Sequence, residues 1–371
     1  MKADIQKTEH LVEAIEKRLE RRLDTQVRNA FLRVPRHLFL DHFYRQQGNR
    51  LAWDRIPTPA PEDIYCDEAL VTKIDEKGFP ISSSSQPSVM ARQLEALDLR
   101  PGLVVLEVGT GTGYNAALMG ALVGPAGQII SIDIDQELIT TATQHLDAAG
   151  VTNVLAATGD GFQGYPEYAP YDRLLATCAV RALPRPWMEL LAPGGLLLVN
   201  LRFHLSSVFL LLKKATPTTL EGRLFDLDAA YMEMHSATGL PPAFQADWKT
   251  YDSQPHHEIQ LPANLAELLK SQAYSVLLEC LLPSLRKKYR AFPGEDEVDT
   301  YLIDSAVSGS AIQVQSNHAT IIGGQGYLKT RLLQSLEWYE RFGLTIEDYT
   351  VSLDETGATL RLGGLCFSLE I

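Results

Sequence analysis

Cysteine is scarce in this chain: Cys66, Cys178, Cys280 and Cys366 are the only four in 371 residues, and no two form a Cys-x-x-Cys pair. That spacing excludes the usual zinc patterns and a disulfide framework, and it fits a reducing, cytoplasmic compartment. Long apolar runs are missing too. No stretch approaches the roughly eighteen residues that a membrane span needs. The opening residues, Met1-Lys2-Ala3-Asp4-Ile5, begin a charged amphipathic stretch and not a secretory signal. Basic residues are outnumbered, with 33 Lys and Arg against 46 Asp and Glu and a formal net charge of -13. A surface of that sign repels phosphate backbones, so neither nucleic acid nor membrane is an expected partner. Two short basic clusters, Lys213-Lys214 and Arg286-Lys287-Lys288-Tyr289-Arg290, read as solvated helix faces. His256-His257 has no Cys or carboxylate at a familiar ligand spacing, so it reads as surface and no metal site is expected.

What the chain does have is core-forming material, 45% hydrophobic against 21% charged, and enough length for two domains. One stretch organises it: Val104-Val105-Leu106-Glu107-Val108-Gly109-Thr110-Gly111-Thr112-Gly113-Tyr114. The apolar, β-branched run predicts a strand buried on both faces. The glycines at alternate positions allow a sharp turn and a close approach of backbone to ligand. A helix starting near Tyr114 then points its free N–H groups into the crevice at the strand's carboxyl end.

A nicotinamide site has Gly-x-Gly-x-x-Gly, with a pyrophosphate on the helix N-terminus. Here the spacing is Gly109-x-Gly111-x-Gly113, and Glu107 puts a carboxylate at the strand's mouth. That charge disfavours a pyrophosphate and suits the cationic end of a sulfonium amino acid. About twenty residues beyond Gly113, Ile129-Ile130-Ser131-Ile132-Asp133 reads as a second strand ending in an acid placed for ribose hydroxyls. The cofactor these residues point to is S-adenosylmethionine.

Along the chain, residues 5 to 33 carry apolar positions at helical spacing (Leu11, Ile15, Leu19, Leu23, Val27, Phe31), giving one long helix or two broken near Asp24-Thr25. Asp67 to Val71 reads as irregular or a short edge strand. Four serines, Ser82 to Ser85, precede a helix with Pro87 in its first turn; they either cap it or line the site. From Arg100 to Leu201 strands and helices alternate, with further strands at Asn153–Ala157, Tyr171–Thr177 and Leu196–Asn200 and a turn at Ala192–Gly195. The expected fold is α/β, a doubly wound Rossmann-like sheet. Asp160, in Gly159-Asp160-Gly161 at a strand's carboxyl end, either accepts a hydrogen bond from an adenine amino group or is a turn aspartate beside Gly161. Beyond Ser206 the pattern becomes α+β. Helices are expected over 262–290, strands at Ala311–Val314 and Ala319–Ile322, a helix over Tyr327–Phe342, and a hairpin of Tyr349–Leu353 with Ala358–Leu362. Gly323-Gly324-Gln325-Gly326 reads as a turn. The expected organisation is 1–80 N-terminal helices and loop, 81–235 the S-adenosylmethionine-binding α/β domain, and 236–371 the α+β extension, with 236–261 as linker.

Residues 26 to 201 resemble the protein-L-isoaspartate O-methyltransferases. The resemblance rests on Val27-Arg28-Asn29-Ala30-Phe31-Leu32-Arg33-Val34-Pro35-Arg36-His37-Leu38-Phe39, on Ser85-Gln86-Pro87, and on Leu106 to Tyr114. It continues through Gly159-Asp160-Gly161, Ala169-Pro170-Tyr171-Asp172 and Pro193-Gly194-Gly195. The resemblance implies a carboxyl O-methyltransferase, with a protein or peptide carboxylate as acceptor. It makes Ser85 the catalytic hydroxyl of the acceptor pocket. Glu107, Gly109, Thr112 and Asp133 would hold the amino-acid and ribose parts of S-adenosylmethionine, and Asp160 and Gly161 its adenine. Ser82, Ser83, Ser84, Thr110, Gly111, Ile134 and Thr177 complete the expected cofactor-binding set. The family loop usually reads Thr-Ile-Ser-Ala-Pro-His-Met-His; Ser83 to Met90 replace it here and lack both histidines. The tail from about 206 exceeds the usual family and is similar to that of bacterial enzymes that methylate aspartates in ribosomally made peptides. Three functions therefore stand open: isoaspartyl methylation, tailoring of one dedicated peptide, and a silent cofactor-binding module.

Overall fold

In a computed structural model of the chain, the first apolar stripe folds as two helices. These are α1 (Lys2–Leu19) and α2 (Thr25–Arg33). The break is held by Glu16, which accepts from the Leu23 N–H at 3.2 Å and pairs with Arg22 at 2.7 Å. Residues 2–48, 52–235, 254–261, 264–291, 298–304, 311–315, 318–323, 326–354, 357–362 and 365–369 are described. Two compact units divide the chain. The first comprises Met1–Asn200, Phe209–Gly222 and Leu227–Gly239, and the second Leu201–Val208, Arg223–Asp226 and Leu240–Ile371.

In the first unit, β1 (Phe43–Gln46), β2 (Trp53–Ile56), a short helix α3 (Pro61–Ile64), β3 (Leu70–Ile74) and β4 (Pro80–Ser84) follow α2. The strands form a sheet in the order β2-β1-β3-β4. Leu70 and Val71 thus sit in an interior strand, not the edge strand or irregular stretch expected. The edge is β4, which carries Ser82 to Ser84. The serines do not cap the next helix, α4 (Pro87–Ala96). That work falls to Asp67, whose carboxylate accepts from the Ser88 N–H at 2.7 Å and from Gln86 Nε2 at 3.1 Å. Pro87 takes the first helical position, where a missing N–H costs nothing.

The main sheet follows. Its elements are β5 (Val104–Val108), α5 (Tyr114–Val123), β6 (Gln128–Asp133), α6 (Gln136–Ala148), β7 (Val154–Thr158), β8 (Tyr171–Val180), α7 (Arg185–Leu190), β9 (Leu191–Arg202), β10 (Ser207–Thr216) and β11 (Thr219–Phe225). Within this unit the order is β11-β10-β9-β8-β5-β6-β7. β5 runs parallel to both β6 and β8. The chain leaves β5 toward β6 and returns on its other side as β8, and that reversal opens a crevice at the strands' carboxyl ends. This is the α/β, doubly wound Rossmann-like sheet. β9 runs straight through Ala192–Gly195, where a turn was expected, with Gly194 at φ 76. Lys214 is no helix face either. It lies in β10, 9% exposed, with Nζ donating to the Met188 and Leu191 carbonyls at 2.7 and 2.8 Å.

The second unit holds β12 (His256–Gln260), helices Leu265–Leu268 and Gln272–Leu281, β13 (Leu285–Ala291), β14 (Val298–Asp304), β15 (Ala311–Gln315), β16 (His318–Ile322) and the helix Tyr327–Phe342. These strands form an antiparallel sheet, β12-β16-β15-β14-β13. A meander of β17 (Tyr349–Asp354), β18 (Gly357–Leu362) and β19 (Leu365–Leu369) ends the chain. Tyr274, Leu278, Leu302, Ile312, Leu332 and Leu336 belong to the core formed by the antiparallel sheet and its helices. The cluster Arg286–Arg290 lies on strand β13, not a helix; β13 is an edge of this sheet, where charged residues discourage pairing with a further strand. Most of the expected linker (236–253), and Gly324 and Gln325 of the glycine turn, lie outside the described residues.

Candidate functional site

A cleft with about 940 Å³ of empty space, partly open to solvent, lies at the carboxyl ends of β5, β6 and β8. The structure brings nearly all the expected residues to it. Ser82, Ser83, Ser84 and Ser85 line one side, and Glu107, Gly109, Thr110, Gly111, Thr112, Asp133, Ile134, Gly161 and Thr177 line the rest. Asp160 does not join them. Its side chain is exposed and accepts from the Phe162 N–H at 2.9 Å, a turn role, while its neighbours Gly159 and Gly161 face the cleft.

The turn after β5 needs its glycines. Gly109 has φ 104, and a Cβ there would sit 2.5 Å from Thr177 Oγ1, which itself donates to the Gly109 carbonyl at 2.6 Å. Gly111 has φ 52, with the Ser83 carbonyl 3.4 Å from where its Cβ would be. The bare turn therefore lets the serine strand approach the loop.

Glu107 is fully buried at the end of β5. Asn115 Nδ2 donates to Oε1 at 2.7 Å, and Ser131 Oγ donates to Oε2 at 2.6 Å. Ser131 has one hydrogen, so its 2.7 Å bond with Thr110 Oγ1 has Thr110 as donor. Burial nonetheless dominates and raises the Glu107 carboxyl to about 7, against the opposing pull of Ser131 and Asn115. Beside it, Asn115 Oδ1 is buried with no partner. Two neighbouring acceptors, one able to ionise, call for a cationic donor. Asp133 receives the Gly111 and Asp135 N–H groups, each at 3.1 Å, and burial raises its pKa. Its remaining lone pairs suit a diol. No Lys or Arg is among the described residues lining the cleft, so nothing there balances a pyrophosphate. The donor set fits the ammonium and ribose of S-adenosylmethionine and does not fit a dinucleotide.

Two sets of residues were not foreseen. The first is Arg36, fully buried. Its guanidinium donates to the carbonyls of Ile64, Cys66 and Glu68, each at 3.0 Å, and of Ser84 and Ser85 at 3.4 and 3.2 Å. It also reaches Ser84 Oγ at 3.2 Å. Among the described residues no carboxylate pairs with it, and burial lowers its pKa. This cation gathers the loop after α3 and the end of β4 around one centre, and so sets where Ser85 stands. The visible signal was a charged residue wedged in the apolar Val34-Pro35-Arg36-His37-Leu38-Phe39. The second set is the segment Tyr231 to His235, which also lines the cleft. Met234 Sδ lies 2.6 Å from where a Gly161 Cβ would be, so that glycine makes room for the segment. Nothing in its sequence marks it.

The family model described as Protein-L-isoaspartate(D-aspartate) O-methyltransferase matches residues 6–225. A protein-L-isoaspartate O-methyltransferase of Thermotoga maritima is 36% identical over 180 residues, 48% of this chain and 51% of that protein. One of Pyrococcus horikoshii is 37% identical over 180 residues, 48% of this chain and 71% of that protein. The matched stretch thus spans about half the length of the Thermotoga protein. A solved structure titled protein-L-isoaspartate O-methyltransferase is similar in fold, with a TM-score of 0.57 at 24% identity, over 96% of this chain and 99% of that one. The likeness of fold therefore extends into the tail.

Proposed function

Because the chain belongs to the protein-L-isoaspartate O-methyltransferase family, whose model spans residues 6–225, we propose that it transfers a methyl group from S-adenosylmethionine to the carboxylate of isoaspartyl residues in proteins or peptides. The observation that carries this reading is the pairing, in one cleft, of an acidic cofactor side with a hydroxyl-bearing strand edge. Glu107 and Asn115 Oδ1 take the ammonium, Asp133 the ribose, and the backbone around Ile134 and Gly159–Gly161 borders the base. Ser85 faces the acceptor. Bound there, the cofactor supplies an electrophilic methyl group on a sulfonium sulfur.

The acceptor needs no base. A carboxylic acid with a pKa of about 4 is ionised at neutral pH. What the chain supplies is position: it holds the carboxylate in line and shields it from water. Ser85 does this with one hydrogen bond, worth roughly 1–3 kcal/mol to a charged partner. Ser85→Ala is accordingly expected to lower kcat by about one to two powers of ten while donor affinity stays put. Unchanged turnover would remove Ser85 from the chemistry. Asp133→Ala loses the ribose acceptor and is expected to weaken donor binding about ten- to a hundredfold by calorimetry. An unaltered affinity would mean the ribose lies elsewhere.

The direct test incubates the protein and S-adenosylmethionine with matched isoaspartyl and aspartyl peptides and reads the mass gain of one methyl. Methylation of the isoaspartyl peptide supports the proposal. Methylation of aspartyl peptides alone would move the reading to a dedicated peptide-modifying enzyme, and donor binding with no transfer would leave a binding module.

A further inference from the structure

Two walls of the cleft come from different parts of the chain. Ile81, Ser82 and Ser83 belong to the β3–β4 hairpin, and Asp133, Ile134 and Leu138 to the end of β6 and the start of α6. Lys73, on β3, joins them. Its Nζ donates to Asp135 Oδ2 at 2.7 Å and to Glu137 Oε2 at 2.6 Å. The far end of this bridge is tied to the ribose side of the cleft. Asp135 Oδ1 caps α6 by accepting from the Glu137 and Leu138 N–H groups at 2.9 and 3.3 Å. The Asp135 N–H in turn donates to Asp133 Oδ1 at 3.1 Å. Lys73 thus reaches, through one residue, the carboxylate proposed to hold the ribose.

The near end is built to aim the lysine. In the hairpin's turn, Asp75 Oδ1 accepts from the Lys77 and Phe79 N–H groups at 2.9 and 2.8 Å, and the Gly78 carbonyl accepts from Trp53 Nε1 at 2.8 Å. The hairpin can therefore move as one body. Its ladder is irregular in one place. Val71 pairs with Ser83, Lys73 with Ser82 and Ile74 with Pro80, so Thr72 and then Ile81 are each passed over. Such bulges re-aim the side chains beside them. Here they flank the Lys73–Ser82 pair and leave Ile81 40% exposed while it lines the cleft. Thr72 Oγ1 donates to Ser82 Oγ at 3.2 Å, which keeps the two strands together there. The bridge itself is graded. Lys73 and Asp135 are 27% and 28% exposed, but Glu137 is 78% exposed. A half-buried pair resists screening better than an exposed one, yet water and salt can still open it.

We propose that Lys73 is a positioning residue that latches the β3–β4 hairpin to the start of α6, holding the two walls of the cleft together around the cofactor, and that opening of this bridge lets the spent cofactor leave. The latch rests on the reading of the cleft as the S-adenosylmethionine site and is independent of the acceptor.

The dissociation rate of radiolabelled S-adenosylhomocysteine, chased with unlabelled compound, tests the latch on the full chain. Lys73→Met keeps an unbranched stem and removes the charge; release is expected to quicken about tenfold at low salt. Lys73→Arg can fork onto both carboxylates and should stay within about twofold of the parent. Added salt screens the bridge in the parent but has no bridge to screen in Lys73→Met, so the ratio of the two rates should fall toward one. Glu107 faces the cofactor in every variant, so its own salt response cancels in that ratio. A merely structural role for Lys73 would give a ratio that salt does not move. Asp135→Asn keeps a side-chain oxygen for the helix cap and loses the charge. It should quicken release about threefold alone and add little on top of Lys73→Met, because both act on one bridge. A parental rate in Lys73→Met, release from Lys73→Arg as fast as from Lys73→Met, a ratio indifferent to salt, or additive effects would each overturn the latch and leave the cofactor site standing. A parent that binds no S-adenosylhomocysteine would overturn the cofactor site, and the latch with it.

Discussion

Arg36→Met should cost the protein about 4–5 kcal/mol and lower its melting temperature by roughly 10–15 °C. The reason lies in what the guanidinium leaves behind. Five backbone carbonyls, of Ile64, Cys66, Glu68, Ser84 and Ser85, converge on it inside the protein. Each buried acceptor left without a donor costs on the order of 1–3 kcal/mol, less where water enters. Methionine fills the volume but donates nothing. Arg36→Lys keeps the charge with three donors on one atom and cannot reach carbonyls spread around a planar fork, so it should fall between the two. The loss is not uniform across the site. The proposed donor-binding groups Glu107 and Asp133 sit on β5 and β6, whereas Arg36 holds the end of β4, so methyl transfer should drop well beyond any fall in donor affinity. Thermal melts and donor titrations on the same samples check this. A melting temperature within about 3 °C of the parent would mean that water already serves those carbonyls.

That clamp also shows where sequence reading ends. The β5–glycine–α5 unit, Asp133 at the tip of β6 and the serine run were all legible, because each is a local pattern whose chemistry follows from adjacent residues. The helix Tyr327–Phe342 and the pairing of β17 with β18 were legible for the same reason. Arg36, Gln93 and Tyr231 were not. Gln93, whose Oε1 accepts from the Tyr231 hydroxyl, lies 138 residues before it, and Arg36 lies 49 residues before Ser85; no local periodicity reports such a meeting. Asp160 shows the opposite ambiguity. A Gly-Asp-Gly run at a strand end looks like a ligand site, but an aspartate there also suits a turn, and Asp160 Oδ1 accepts from the N–H two residues on. The two basic clusters failed on period: Lys213-Lys214 and Arg286–Arg290 are too short to separate a helix face from alternating strand positions.

Glu107 carries the second large effect, and its sign follows from burial. Desolvation lifts its carboxyl from 4.5 to about 7. A folded-state value above the unfolded one means that the stability contributed by the proton is fully present below about 4.5 and is lost as pH rises through about 7. A cationic ammonium set against Glu107 and Asn115 Oδ1 requires the ionised form. Donor affinity should therefore rise about tenfold per pH unit up to roughly 7 and then level, leaving it about thirtyfold weaker at pH 5.5 than on the plateau. Glu107→Gln should flatten that curve. Near pH 8 it should also bind about a hundred- to a thousandfold more weakly, the loss of a buried charge pair. Burial also raises the pKa of Asp133 in the same cleft, and the glutamine variant decides between them, since a slope that survives in Glu107→Gln belongs to another group. Unfolding experiments would mix in Glu279, whose buried carboxyl is also held at about 7 by desolvation. Donor calorimetry across pH isolates Glu107. A flat affinity between pH 5.5 and 8 in the parent would separate the donor's charge from this carboxylate.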